Sequence, residues 1–230
     1  MAVGAEKLTV RELLTRYAEG AGWKYIAPQE AHHLRQGESG LVLHDVLVEQ
    51  LQKLNPGVVD HLMAEDVVKR LISVPATIGG NLEAQRFLKG IKTISPDVEN
   101  TVRSVKLLDQ DDIHANAFHV TDKFTFANGA ERVEADVVFL INGVPVILVE
   151  TDTATYLEGL GEALDRVERY QRKCPELMSI VQLFALIHLG GSREGDGCAE
   201  AQRACLAHAR VERCPTPLPP SHWGEGGGHS

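Results

Sequence analysis

The chain has no C-x-x-C pair. Of its four cysteines, Cys174 stands alone and Cys198, Cys205 and Cys214 lie toward the C-terminus, a spacing that argues against zinc. No G-x-x-x-x-G-K-[ST] occurs, so the chain has no phosphate-cradling P-loop, and no H-E-x-x-H occurs either. The histidines are scattered, with only His32 and His33 adjacent. A secretory h-region is missing as well, because MAVGAEKLTVRELL carries charges where that region would be continuous and apolar. The longest apolar run is interrupted by Asn142-Gly143 and Pro145 and is too short for a bilayer. These absences read as a soluble, cytoplasmic protein without disulfides. Positive charge is also in deficit. A net charge of −9 argues against coating nucleic acid through bulk electrostatics, and leaves room for a local basic groove or for basic partner subunits.

What is present is ordinary globular chemistry: 43% apolar and 24% charged residues in 230, enough for one domain with extra elements or two small ones. Residues 1–100 read as a mainly helical portion. Thr9-Val10-Arg11-Glu12 has capping-box form, Val10, Leu13, Leu14 and Tyr17 follow at helical spacing, and Gly20 and Gly22 end the helix. Leu43, Leu47, Leu51 and Leu54 share one face of a second helix over 41–54 that Asn55-Pro56-Gly57 stops. A third is predicted from about Val58 to Leu71 and a short one from about Leu82 to Leu88.

Strand periodicity begins at residue 101 and marks 101–189 as an α/β core. Val102 to Leu108 and Phe118 to Phe126 are candidate strands, the latter closed by Asn128-Gly129, and a hairpin over 133–151 follows. Leu157, Leu160, Leu164, Val167 and Tyr170 predict an amphipathic helix ending before Pro175, and Ser179 to His188 a last, buried strand. Helices followed by strand, hairpin, helix and strand give an α/β fold with a mixed sheet. From Gly190 the composition turns abruptly to Gly, Pro, Arg and Cys. Residues 190–230 are expected to be disordered apart from a helical turn within 198–212, and a frameshifted, truncated ancestor is one explanation of the change.

The chemistry concentrates in EADVVFLINGVPVILVETD, residues 134–152, where Asp136 and Glu150 sit at the outer ends of two apolar runs that meet at Asn142-Gly143. Paired carboxylates at the open end of a hairpin can hold a divalent ion. Glu150 follows the buried run Val146-Ile147-Leu148-Val149, where an uncompensated carboxylate is costly. Acidic residues at strand ends are also commonly just solvated. Parity separates the two readings. A strict two-residue Asn142-Gly143 loop would pair Asp136 with Val149 and turn Glu150 to the other face. A three-residue Ile141-Asn142-Gly143 loop, or some other bulge that restores parity, would bring both carboxylates, and Asp152 beyond them, onto one face.

The segment ADVVFLINGVPVILVE, preceded by NAFHVTDKFTF and followed by LEGLGEALDRVERYQRKCPEL, resembles the N-terminal nuclease region of type I restriction enzyme R subunits. Their hairpin has the form R-x-D-V-V-L-F-x-N-G-x-P-L-x-x-x-E-x-K, followed by a helix with Q-x-x-x-Y. Asp136, Asn142-Gly143, Pro145, Glu150 and Tyr170 fall in register with it. Gly22-Trp23 and Leu54-Asn55-Pro56 resemble the family's opening helices, so the likeness spans roughly Glu12 to Leu189.

The resemblance implies a restriction-endonuclease-like PD-(D/E)xK core, flanked by helices, with a helical N-terminal portion. It implies Mg²⁺-dependent hydrolysis of double-stranded DNA, with Asp136, Glu150 and the Thr151 carbonyl as metal ligands. It also implies work alongside modification and specificity subunits, and ATP-driven translocase domains that this chain lacks. Two positions depart from the family. Asp152 replaces the motif lysine, and Arg166 replaces the helix glutamine four residues before Tyr170. The reading is a truncated R subunit with a crippled centre, in which Arg166 reaches Asp152. The alternatives are a noncatalytic DNA- or subunit-binding module that keeps only the fold, and another nuclease of the same fold, for instance in DNA repair. Lys123, Arg132, Arg169, Arg172 and Lys173 are the candidate DNA contacts near the predicted centre.

Overall fold

The computed structural model describes the backbone of residues 2–94, 102–152, 158–188 and 210–213. In chain order the elements are α1 (Ala2–Gly20), β1 (Lys24–Tyr25), α2 (Pro28–Leu34), α3 (His44–Leu54), α4 (His61–Ile72), α5 (Ile78–Leu88), β2 (Ile91–Ile94) and β3 (Val102–Val105). A single 3-10 turn (Ile113–Ala115) leads into β4 (Phe118–Ala127), β5 (Arg132–Ile141), β6 (Val144–Asp152), α6 (Glu158–Lys173), α7 (Pro175–Ile180), β7 (Leu183–His188) and β8 (Arg210–Arg213). The main sheet runs β1-β4-β5-β6-β7-β8. Antiparallel ladders join β4 to β5, β5 to β6 and β7 to β8, while β1–β4 and β6–β7 are parallel. This is the expected mixed α/β sheet, with α6 and α7 forming the crossover that a parallel β6–β7 pair requires.

The predicted helices are present with shifted ends. Helix α1 starts ahead of Thr9, so Thr9 lies inside it rather than at its start. Asp60 caps α4 by accepting from the Met63 amide at 2.8 Å. Helix α5 begins four residues before the predicted Leu82, because Thr77 caps it through the Gly80 amide. Glycine reads against a helix on propensity alone. Gly80 is nonetheless required here, since a Cβ would sit 1.7 Å from the Pro75 carbonyl oxygen.

Two elements differ in partner. Strand β3 stops at Val105 and pairs with β2, forming a separate two-stranded sheet. The run Ser179 to His188 divides between α7 and β7, with extended backbone only from Leu183. The segment expected to be disordered, residues 190–230, lies outside the described residues except for β8, where residues 210–213 are extended rather than helical.

The sheet is covered on both faces. Val10 and Ala18 of α1 pack on Val120, Val137 and Val149. On the other face α2, α6 and α7 bring Ala31, Val167, Tyr170 and Leu177 onto Phe124, Val138 and Leu148. A further core joins α3, α4 and α5 to Val144 and Val146 at the hairpin tip. The helical portion and the strand-rich portion therefore share buried side chains.

Candidate functional site

The hairpin turn has two residues. Ile141 pairs with Val144, and Asn142 and Gly143 take φ of 52° and 83°, the left-handed pair of a type I′ turn. The three-residue loop is thus overturned. Parity is restored elsewhere: Leu140 pairs with Pro145 but Phe139 with Ile147, so Val146 is an extra residue on β6. Pro145 has no amide to give the ladder, and Val146 is buried against the α3–α5 core, which together favour a bulge at this step. Pairing resumes through Val137–Val149, and continuing that register one step sets Asp136 opposite Glu150, whose Oε1 lies 3.4 Å from the Asp136 amide nitrogen. The two carboxylates are direct cross-strand neighbours, closer than the diagonal pair expected from a three-residue loop.

The β4–β5 ladder changes face beside the same point. Val120 and Val137 pack toward α1, whereas Phe124, Phe126, Val133 and Ala135, of matching parity, pack into the opposite cluster. The switch falls between the pairs Asp122–Val137 and Phe124–Ala135, at the step that holds Lys123 and Asp136. Lys123 adopts φ of 47°, an uncommon conformation for a side chain of its kind, and this reverses which side of β4 its neighbours present. At this point α1 reaches Asp136 from one face of the sheet and α6 reaches Glu150 from the other.

Each carboxylate is held by an arginine from a different helix. Arg11 of α1 places Nη1 3.3 Å from Asp136 Oδ1. Asp136 Oδ2 accepts from the Thr151 amide at 2.9 Å and from Thr151 Oγ1 at 3.0 Å. Arg166 of α6 donates from Nε to Glu150 Oε2 at 2.7 Å and from Nη2 to the Thr151 carbonyl at 3.0 Å. Glu150 Oε1 lies 3.0 Å from the Tyr170 hydroxyl, which is also 2.6 Å from the Glu134 carbonyl. Asp136, Glu150, Thr151 and Tyr170 are all buried. Asp152 ends β6 in register with His188. Its side chain, and with it the expected Arg166–Asp152 contact, lies outside the described residues.

Burial, reinforced by the neighbouring Asp136 charge, pushes the Glu150 carboxyl up to about 7, against the opposing pull of Arg166 and the Tyr170 hydroxyl. The Tyr170 phenol is raised by its own burial and then by Glu150. Because Tyr170 has one proton and two oxygen neighbours, a protonated Glu150 can donate to the phenol oxygen while the phenol donates to Glu134. Tyr170→Phe is expected to cost about 1–2 kcal/mol, from the unpaired Glu134 carbonyl, and to move the Glu150 titration upward. Denaturant unfolding and an NMR pH titration of Glu150 measure the two effects; an unchanged titration would separate Tyr170 from the centre.

The sequence profile described as "Type I restriction enzyme R protein N terminus" matches residues 5–197. The chain belongs to this family. Among its relatives is the "Putative type I restriction enzyme MjaVIIIP endonuclease subunit" of Methanocaldococcus jannaschii, 27% identical over 176 residues, covering 73% of this chain and 16% of the relative. The "Putative type I restriction enzyme MjaVIIP endonuclease subunit" of the same organism is 29% identical over 101 residues, 44% of this chain and 9% of that protein. The chain thus spans a small part of these relatives' length.

Asp136, Glu150 and the Thr151 carbonyl are oxygen donors of the kind that suits Mg²⁺. As arranged here they do not fit the ion. The Arg166 guanidinium bonds Glu150 Oε2 and the Thr151 carbonyl, and Arg11 stands against Asp136. Among the described residues no group of three or more His, Cys, Asp or Glu side chains converges on a possible metal position.

The basic candidates divide. Lys123 stands beside Asp136 in the ladder and is exposed. Arg169 lies over the Tyr170 ring, 5.7 Å from its centroid, and Arg172 is exposed on the last turn of α6. Arg132 is held by both Glu38 oxygens and Lys173 by Glu131 at 2.7 Å, so those two are engaged on the surface. Arg11 was missed by sequence reasoning. Its available signal was a charge next to Val10 on a helix whose apolar residues face the sheet.

Proposed function

We propose that this chain is the nuclease-fold region of a type I restriction R subunit that engages double-stranded DNA together with modification and specificity subunits, in the cytoplasm, while its own carboxylate centre cuts DNA weakly or not at all. The observation that carries this reading is the buried opposition of Asp136 and Glu150, with Tyr170 on the same cluster, in a chain whose residue 152 is an aspartate. Such a pair supports the reading of a phosphodiester-cutting centre. The position where the family has lysine adds a negative charge instead of the positive one that would orient water and stabilise a developing phosphorane. Among the described residues no helix is long and apolar enough to cross a membrane.

Plasmid nicking by the purified chain with Mg²⁺ is expected to stay near background. Asp152→Lys combined with Arg166→Gln should raise it. Robust nicking by the unaltered chain, abolished by Glu150→Ala, would refute the impaired-centre reading. A noncatalytic DNA- or subunit-binding module is the second reading. The guanidinium groups closed on both carboxylates favour it, and DNA binding with no nicking by either the chain or the double variant would select it.

A further inference from the structure

We propose that Arg166, seconded by Arg11, is the resident cation of this centre, and that the two guanidinium groups take over the charge and the ligand contacts of a divalent ion, so that the domain does not take up metal. This rests on the reading of the fold as a nuclease centre. Three oxygen donors are at issue. Two of them, Glu150 Oε2 and the Thr151 carbonyl, are bridged by a single guanidinium through Nε and Nη2 at 2.7 and 3.0 Å. The fork geometry of arginine suits such a bridge, whereas an ammonium would act as a point charge.

The third donor, Asp136, is met from the opposite face by Arg11, whose side chain is only 10% exposed. The Arg11 Nε has no hydrogen-bond partner among the described residues. Burying the Arg11 guanidinium is unfavourable unless its charge is paired, and Asp136 Oδ1, 3.3 Å from Nη1, pairs it. Among the described residues two buried carboxylates face two guanidinium groups, and a divalent ion at Glu150 Oε2 and the Thr151 carbonyl would have to displace Arg166 from both oxygens. Position 166 is glutamine in the family pattern, and a neutral amide there carries no charge to compete with a cation. The substitution to arginine thus places a permanent charge on the ligand side of α6.

Calorimetric titration of the full chain tests this with Ca²⁺, which binds oxygen donors without supporting turnover, and with Mg²⁺. The unaltered chain is expected to show no stoichiometric binding at millimolar metal and no metal-dependent shift of its melting temperature. Arg166→Gln is expected to bind Ca²⁺ at least about tenfold more tightly and to be stabilised by it. Submillimolar one-to-one binding by the unaltered chain, lost in Glu150→Gln, would overturn the proposal, and this arm needs no folded Arg166 variant. Equal Ca²⁺ affinity of the Arg166→Gln and unaltered chains would overturn it too. Failure here is distinct from failure of the functional reading: metal binding without nicking removes only the resident-cation proposal, whereas robust nicking removes the impaired centre itself.

Discussion

Asn142→Ala is expected to destabilise the protein by about 4 kcal/mol, a large fraction of a typical domain's stability. Asn142 is fully buried and takes φ of 52°. Its Oδ1 accepts from the Ala117 amide at 2.7 Å, while Nδ2 donates to the Leu107 carbonyl at 2.7 Å and to Asn116 Oδ1 at 2.8 Å. Alanine would orphan these three partners at once and place a Cβ residue lacking asparagine's local hydrogen bonding in the left-handed region. The next residue cannot compensate. A Cβ on Gly143 would sit 2.7 Å from the Leu43 carbonyl oxygen, and the Gly143 carbonyl already accepts from the Leu43 amide at 2.8 Å. The turn is therefore bolted to α3 and to the loop before β4. Guanidinium unfolding with unchanged m-value measures the loss. A cost below about 1 kcal/mol would mean that water satisfies the three partners.

The second large effect is a pH-dependent cost of removing Arg166. Burial raises the Glu150 carboxyl from 4.5 to about 7. A group raised in this way contributes stability that is fully present below its unfolded value and is lost as pH rises through the folded one. Between about pH 4.5 and 7 the protein should therefore lose up to about 3 kcal/mol from this group. Arg166 opposes the shift, because its Nε faces Glu150 Oε2 at 2.7 Å. Arg166→Met removes that opposition, so the Glu150 carboxyl rises further and stays protonated at pH 8, where the unaltered protein has largely ionised it. The variant should cost about 2 kcal/mol at pH 8 from lost ionisation and lost hydrogen bonds together. At pH 5 Glu150 is protonated, and the cost should shrink to about 1 kcal/mol for the hydrogen bonds alone. Unfolding free energies of both proteins at pH 5 and 8 give the comparison, and a cost independent of pH would place the charge of Glu150 elsewhere.

Much of the fold was legible because period and punctuation agree. The apolar face of α3 with its Asn55 stop, the Asn142-Gly143 turn and the amphipathic run into Tyr170 are all local signals. Elements whose reasons are nonlocal were not legible. Helix α5 starts through two glycines because Gly80 lies against Pro75. Strand β2 is a four-residue element that exists by pairing with β3. The two-residue strand β1 is extended because it lies parallel to β4.

The site shows the same division. The sequence determined that Asp136 and Glu150 flank one hairpin, that residue 152 is acidic and that an arginine precedes Tyr170 by four positions. Those facts follow from spacing along a strand or a helix turn. Only the tertiary structure decided whether the carboxylates meet, since parity depends on one extra residue at Val146, which is stabilised by burial against distant helices. It also decided what neutralises them. Arg11 and Asp136 are 125 residues apart, and no periodicity links two charges that become neighbours only when α1 and the sheet close around them.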